Sequence, residues 1–317
     1  MKEIGGYFEL EQFHGHMLHG DGLKFDCARS CLAYLILTKN IKKIAIPAFM
    51  CDSVFELCKK TNVHLRYYQV NTDFHPENIY LEDDEYLYLM NYYGQIEKET
   101  IKSYKNTYHR IILDNTQAYF EEPISGVDTI YSCRKFFGVP DGGILYSDNL
   151  IDTEYKPVES FQYMEHLLGR FERTASEFYS KYRVNEERLT GVPINKMSKL
   201  SENLLNAIDY KYVKETRTSN FNYLHDKLSE INNYQVKKVA GAFSYPLLIH
   251  NAQKLRKKII EKKIYIPLLW PNVVENPVFP TDKEFVESIL PIPCDQRYGN
   301  SEMIEICNAI KDAISLV

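Results

Sequence analysis

One lysine stands out among the residues of this sequence that could do chemistry. Lys135 lies in Tyr131-Ser-Cys-Arg-Lys-Phe-Phe-Gly-Val-Pro-Asp-Gly-Gly143, where two phenylalanines and a turn rich in glycine follow it. Apolar surroundings disfavour an ammonium ion, so they lower the lysine pKa toward the neutral, nucleophilic amine. The alternative interpretation is a surface lysine in a loop, which this segment alone does not exclude.

Asp114 is the second candidate, because it ends the apolar run Ile111-Ile-Leu. A carboxylate at the end of a buried strand is unfavourable unless a cation or hydrogen bonds compensate it. An aspartate that caps a helix or a turn is the alternative interpretation.

The elements around these residues predict a layered α/β domain. Short apolar runs alternate with amphipathic stretches between residues 24 and 150, as in mostly parallel sheets covered by helices. In such sheets the ligand site lies at the carboxyl ends of the strands, so Asn91, Asp114 and the 132–143 loop should converge. The predicted helices are 28–38 and 53–60, and the predicted strands are 43–47, 64–70, 86–91, 110–114, 129–132 and 143–146.

The second half of the chain predicts a helical layer and a small domain. Residues 160–230 are charged and helical in pattern, with 191–193 as the only clear break. A strand at 242–249 and helices at 253–262 and 301–316 follow. We therefore expect a large domain over 1–225, including the helical connecting layer, and a small C-terminal α+β domain over 226–317.

Composition excludes several classes of protein. The formal charge of −5 argues against nucleic-acid binding. Neither a signal segment nor an apolar run of about 18 residues is present, which argues against secretion and membrane spanning. The seven scattered cysteines indicate reduced thiols and a cytoplasmic location. His14, His16 and His19 lack acidic partners, so we expect no metal site.

Two motifs, in their order along the chain, resemble those of the DegT/DnrJ sugar aminotransferases, which are fold type I enzymes that use pyridoxal phosphate (PLP). Asp114-Asn-Thr-Gln-Ala118 is similar to the D-x-x-Q-A motif of that family. Ser132-Cys-Arg-Lys135, followed by Asp141-Gly-Gly143, is similar to its lysine segment and the loop that ends in E/D-G-G. The resemblance implies the PLP-transferase type I fold, with a large and a small domain.

Four further segments agree with the family in order, so the likeness covers nearly the whole chain. Segment 26–32 stands where the family has S-G-T-x-A-L, and 46–51 stands where it has a strand followed by P-x-x-T. Segment 91–94 takes the place of H-x-x-G, and Pro291-Ile-Pro293 resembles the late L-P-x-x-P region.

The resemblance assigns roles to individual residues. Lys135 would carry the cofactor covalently and then move a proton between the substrate and cofactor carbons. Asp114 would pair with the pyridinium nitrogen, which keeps the ring able to accept electrons, and Gln117 would lie near the ring hydroxyl. The implied phosphate ligands are Ala28, Arg29 and Ser30 at a helix N-terminus, Ser132, and the partner subunit's Asn195.

Departures from the family pattern keep a second function open. The glycine-centred phosphate turn of the family is Ala-Arg-Ser here, and the aromatic residue that stacks on the cofactor ring would fall at Cys51, with Phe49 as a substitute.

The implied function is transfer of an amino group from an amino acid such as glutamate to a nucleotide-linked keto sugar, in surface polysaccharide biosynthesis. The alternative is a family member that has lost transamination and acts as a PLP-binding or regulatory protein. A dehydratase-like use of PLP would require histidine in place of Lys135. The family also implies a homodimer with shared active sites.

Overall fold

A seven-stranded sheet forms the centre of the molecule in the computed structural model, which describes residues 4–148, 154–190 and 194–316. The strand order is β1-β7-β6-β5-β4-β2-β3. Strands β3, β2, β4, β5 and β6 are parallel, whereas β7 runs antiparallel to β6 and β1. The strands are β1 (Leu23–Phe25), β2 (Lys43–Pro47), β3 (His64–Tyr68), β4 (Glu85–Met90), β5 (Ile111–Asp114), β6 (Asp128–Ser132) and β7 (Gly143–Tyr146).

The central strands are buried on both faces, which is why their sequences are continuous apolar runs rather than alternating ones. Every residue of β5 and β6 is buried. Helices α1 (Ala28–Thr38), α2 (Asp52–Lys60) and α3 (Lys98–Tyr108) connect the strands and pack against them. The predicted α/β class with a mostly parallel sheet is confirmed.

The register of the sheet brings the predicted site segments together. Met90 pairs with Asp114 across β4 and β5, and Asp114 pairs with Ile130 across β5 and β6. Just beyond the strands, Asn91 Nδ2 donates a hydrogen bond to Asn115 Oδ1 at 3.0 Å. The ends of these strands therefore form one edge, as the sequence predicts.

Helices follow the sheet, and a two-stranded antiparallel sheet lies near the C-terminus. The predicted helical stretch is divided into more helices than expected, because helices also end at Glu172 and Asn206. The predicted break at 191–193 lies outside the described residues. The elements are α4 (Glu165–Glu172), α5 (Tyr179–Arg188), α6 (Lys199–Asn206), α7 (Tyr210–Leu228), β8 (Ser244–Leu248), α8 (Ala252–Glu261), α9 (Pro271–Glu275), α10 (Pro280–Ser288), β9 (Ile289–Pro293) and α11 (Asn300–Ser315).

One apolar core extends from the large sheet into the C-terminal part. Phe49, which follows β2, packs against Trp270 and Phe285, with ring centroids 4.6 and 5.5 Å apart. Helix α7 also runs across position 225, so no loop marks the boundary proposed there, and the division at 225/226 stays a prediction. Across the described ranges, no helix has both the length and the apolar character needed to cross a membrane.

Candidate active site

Lys135 ends a short 3₁₀ turn, Cys133–Lys135, that directly follows β6. Its Nζ donates a hydrogen bond to Thr116 Oγ1 at 2.9 Å and lies 5.9 Å from the centroid of the Phe243 ring. Protein atoms crowd the ammonium and lower the pKa of Lys135 below its ordinary value, although the nearby Asp114 carboxylate acts in the opposite direction. The side chain nevertheless keeps a solvent-exposed surface. Lys135 therefore places its amine at the edge where the strands end, with part of the side chain exposed.

The Asp114 carboxylate is buried at the end of β5, and two donors fix its orientation. Tyr88 Oη donates to Oδ2 at 2.7 Å, and the backbone N–H of Thr116 donates to Oδ1 at 2.8 Å. Burial and the adjacent carboxylate raise the pKa of Tyr88 well above its ordinary value, so the phenol stays a hydrogen-bond donor. Thr116 thus contacts both Asp114 and Lys135, and it joins the two predicted residues into one constellation.

Gln117 is also buried next to this constellation, where it supports the backbone. Its Oε1 accepts a hydrogen bond from the N–H of Tyr93 at 2.9 Å. Tyr93 has a φ of 53°, a left-handed conformation that is unfavourable for a bulky residue unless its surroundings hold it. The predicted contact of Gln117 with a cofactor hydroxyl stays a prediction, and its side-chain NH₂ is the end that would make it.

The N-terminus of α1 offers donors to an anion. Cys27 caps the helix without a side-chain hydrogen bond. Within the described ranges, the backbone N–H groups of Ala28, Arg29 and Ser30 have no hydrogen-bond acceptor. Free N–H groups and the helix dipole together favour a negatively charged group such as phosphate at this position.

Glycine at position 143 allows β7 to pass close under this helix end. A Cβ atom at Gly143 would lie 2.4 Å from the carbonyl carbon of Cys27 and 2.6 Å from the nitrogen of Ala28. The neighbouring Gly142 donates its N–H to the carbonyl oxygen of Asp26 at 2.6 Å. The two glycines that follow Asp141 therefore seat the α1 turn on the sheet.

Asp26 precedes this turn and takes hydrogen bonds from two predicted phosphate ligands. Ser30 Oγ donates to Asp26 Oδ1 at 2.5 Å, and Asn195 Nδ2 donates to Oδ2 at 3.2 Å. Asn195 is held there because its carbonyl oxygen accepts from the Asp26 N–H in the continuation of β1. This contact lies within one chain, whereas the resemblance implies a contact to the phosphate of the partner.

The remaining predicted ligands occupy different surroundings. Ser132 is buried at the end of β6, opposite Gly143. Cys51 caps α2 and is near enough to Lys135 to interact with it electrostatically, and its Sγ lies 2.7 Å from Ser53 Oγ. Phe49 is 1% exposed and packs against Tyr92 in the aromatic core, so the Phe49 ring is buried. Of the two candidates for the stacking position, Cys51 is therefore the one beside Lys135.

Sequence reasoning missed four residues of this site. Tyr88 lies 26 positions before Asp114, and only the β4–β5 register brings them together. Thr116 lies inside the D-N-T-Q-A motif, and Asp26 is the first residue of the 26–32 segment, so both had a signal nearby. Phe243 enters from the C-terminal part, and nothing in its local sequence indicates a contact with Lys135.

Comparisons with known proteins agree with this geometry at the level of the fold. No protein-family model matches the chain, and no curated protein matches it. Among solved structures, a DegT/DnrJ/EryC1/StrS aminotransferase from Brucella abortus is 13% identical, with a TM-score of 0.64 over 92% of this chain and 85% of its own. Helicobacter pylori PseC, an aminotransferase involved in pseudoaminic acid biosynthesis, is 10% identical, with a TM-score of 0.64 over 93% and 87%.

A third solved structure has its cofactor bound. NtdA from Bacillus subtilis, with PMP, is 12% identical and has a TM-score of 0.66 over 92% of this chain and 73% of its own. The chain therefore has the fold of these aminotransferase structures, which confirms the predicted fold class.

Proposed function

We propose that this protein is a PLP-dependent aminotransferase that transfers an amino group from an amino acid to a keto sugar, carried on a nucleotide. The observation that supports it most is the constellation of Lys135, Thr116 and Asp114 at the carboxyl ends of β5 and β6. A lysine amine with a lowered pKa and a fixed buried carboxylate are the two groups that such a cofactor requires of its protein.

The residues at this edge fit PLP in three respects. The free N–H groups at the start of α1 could donate to the phosphate, and the Lys135 amine could bond to the carbonyl carbon. The Asp114 carboxylate could accept from the ring nitrogen. When bound, PLP supplies a ring that accepts electrons from the bond broken at the substrate. In one respect the fit is poor, because the Asp26 carboxylate faces the same donors as a phosphate would.

The roles of the protein groups follow from their contacts. Lys135 Nζ would hold the cofactor and would then carry the proton at the substrate, a role that its lowered pKa favours. Thr116 Oγ1 accepts from that amine and directs it. The carboxylate of Asp114 would keep the ring nitrogen protonated, and Tyr88 and the Thr116 N–H hold this carboxylate in place.

The assay that tests this function is the half-reaction with an amino acid donor. Addition of glutamate to the PLP-loaded protein should abolish its visible absorbance band and release one 2-oxoglutarate per site. A nucleotide-linked keto sugar should then restore the band. Lys135→Met should abolish both changes, whereas the control Lys98→Met, at an exposed lysine paired with Glu122, should leave them intact. If wild-type protein binds PLP but releases no 2-oxo acid with any amino acid, the binding or regulatory alternative replaces this proposal.

A homodimer is part of the proposal. Large apolar side chains on α4, α5 and the N-terminal segment are exposed in the single chain, among them Phe171 at 90% and Phe8 at 98%. An exposed apolar surface of this kind is typical of a subunit interface. Size-exclusion chromatography at micromolar concentration should give the mass of two chains, and a monomer would contradict the shared active site.

A further inference from the structure

The Asp26 carboxylate lies beside the proposed anion site at the α1 turn and binds two of its side-chain donors. Its carboxylate is 5% exposed and receives the Ser30 hydroxyl at one oxygen and the Asn195 amide at the other. These are two of the side chains that we propose as phosphate ligands. A single carboxylate therefore takes two of the side-chain donors that a bound phosphate would use, while the first backbone N–H groups of α1 have no acceptor among the described residues.

The groups around Asp26 leave its charge only partly compensated. A second buried carboxylate, Asp141, faces it from the loop before β7, and Asp141 itself accepts from the N–H and Oγ of Ser198. The Arg188 guanidinium of α5 faces both carboxylates, and its closest nitrogen is 3.9 Å from Asp141 Oδ2. The Cys27 and Cys31 thiols are further titratable neighbours among the described residues, and both lie at the start of α1. Burial, with Asp141 adding to it, raises the pKa of Asp26 above its ordinary value.

We propose that Asp26 sets the affinity and the pH dependence of phosphate binding at the α1 turn, because its carboxylate competes with the phosphate for Ser30 and Asn195. This inference rests on the proposed function only in taking the phosphate to be that of PLP. The buried Asp26 carboxylate and a phosphate beside it repel each other, so phosphate binds better when Asp26 has taken up a proton. A protonated Asp26 can donate a hydrogen bond to the phosphate instead of repelling it.

The direction of the pH effect follows from this competition. Raising the pH ionises Asp26, and the affinity of the wild-type protein for phosphate should fall. Asp26→Asn has no charge to ionise, and the Asn195 amide can rotate to present its oxygen to the new NH₂ group. The ratio of the wild-type to the variant dissociation constant should therefore increase with pH, and titrations shared by both proteins cancel in that ratio.

The experiment is a titration of wild-type protein, Asp26→Asn and Asp26→Ser with PLP and with pyridoxal, which lacks the phosphate. At the alkaline end of the pH range tested both variants should bind PLP at least ~10-fold more tightly than wild type, which corresponds to about 1.4 kcal/mol, and the difference should shrink as the pH is lowered. Pyridoxal should bind all three proteins equally. Asp128→Asn is the matched control, because Asp128 is also a buried aspartate of the sheet but pairs with Lys39 far from the α1 turn.

Variants that bind PLP equally or more weakly than wild type at both ends of this pH range would overturn the inference, because Asp26 would then orient the phosphate ligands instead of competing. Thermal stabilisation by inorganic phosphate gives a separate test, with a larger shift expected for Asp26→Asn than for wild type. If no protein forms a visible band with PLP, the proposed function fails. The phosphate shifts then still decide whether Asp26 controls an anion site.

Discussion

The Tyr88 hydroxyl is the only side-chain donor to Asp114 in the described part of the chain. Tyr88→Phe removes this hydrogen bond and leaves the buried carboxylate less well held. We expect a loss of about 1–2 kcal/mol in PLP binding, or roughly 5- to 30-fold in affinity. A PLP titration followed by visible absorbance measures it.

Tyr68→Phe is the matched control for this substitution. Tyr68 is equally buried, and its hydroxyl donates to the carbonyl oxygen of Tyr88 at 2.7 Å, away from the Asp114 carboxylate. It should reduce thermal stability by a similar amount without changing PLP affinity. Equal effects of both variants on affinity would show that Tyr88 acts through the fold alone.

At this scale the sequence predicts residues whose signal is local. Lys135 and Asp114 follow apolar strands and stand in ordered motifs, so both can be recognised without a structure. Asp26 and Asn195 are 169 positions apart, and their contact depends on the pairing of a loop with the end of β1. No local pattern encodes such a pairing.

Gly143 lets β7 and the start of α1 approach each other, because it has no side chain. In Gly143→Ala the new methyl group would overlap the backbone of Cys27 and Ala28, so the helix start must move. We expect a loss of about 1–3 kcal/mol in the free energy of unfolding and a weaker phosphate site. Urea unfolding and PLP titration measure the two effects.

Gly138→Ala provides the control in the same loop, because a Cβ there meets Leu167 at an ordinary 3.9 Å. This variant should keep both the stability and the PLP affinity of the wild-type protein. Normal PLP binding by Gly143→Ala would contradict the role given to the α1 turn.

Helix α10 contains a buried carboxyl group with a clear pH signature. Asp282 Oδ2 accepts from the N–H of Phe279, its Oδ1 has no partner within the described residues, and burial raises the pKa of Asp282 from 3.8 to about 6. Since the folded-state pKa is the higher one, the protonated form stabilises the fold below pH 3.8, and this contribution is lost as the pH rises through about 6.

Asp282→Asn should therefore unfold at higher urea concentration near neutral pH, with a gain of about 1–3 kcal/mol that disappears near pH 4. The exposed Asp83→Asn serves as the control and should show no such dependence. A constant difference between wild type and Asp282→Asn at all pH values would contradict the assignment.

Elements with strong apolar runs were predictable, and irregular ones were not. The sequence predicted β2, β7 and α1 at their observed limits. It missed β1, which is three residues long and pairs with one strand at the sheet edge. It also missed β9, because Pro291 and Pro293 lack the backbone donors of a typical strand. A two-stranded sheet tolerates them, and there Pro291 pairs with Pro246 of β8.

At the scale of the whole molecule, Arg217 connects the lysine turn to the C-terminal part. This buried side chain of α7 donates to the carbonyl oxygens of Phe136 at 3.2 Å and Ala242 at 2.9 Å, and to Gln296 Oε1 at 2.7 Å. Phe136 directly follows Lys135, so these contacts couple the position of the amine to the packing of β8 and β9.

Arg217→Met removes these three hydrogen bonds and leaves Gln296 Oε1 without this donor, whereas the Phe136 and Ala242 carbonyl oxygens keep the Gln296 amide and the Cys294 thiol. The free energy of unfolding should fall by about 2–4 kcal/mol. Urea unfolding measures this loss. Arg110→Met, at an exposed arginine paired with Asp84, is the control and should cost less than about 1 kcal/mol. A similarly small loss in Arg217→Met would show that the two parts of the molecule do not depend on this contact.

Covalent attachment of PLP to Lys135 is the central claim, and borohydride reduction followed by peptide mapping tests it most directly. After incubation with PLP and reduction, digestion and mass spectrometry should find the pyridoxyl group on Lys135, and Lys135→Met should lack both the modification and the visible absorbance band. Modification of a different lysine in the wild-type protein, or an unchanged band in Lys135→Met, would contradict the account.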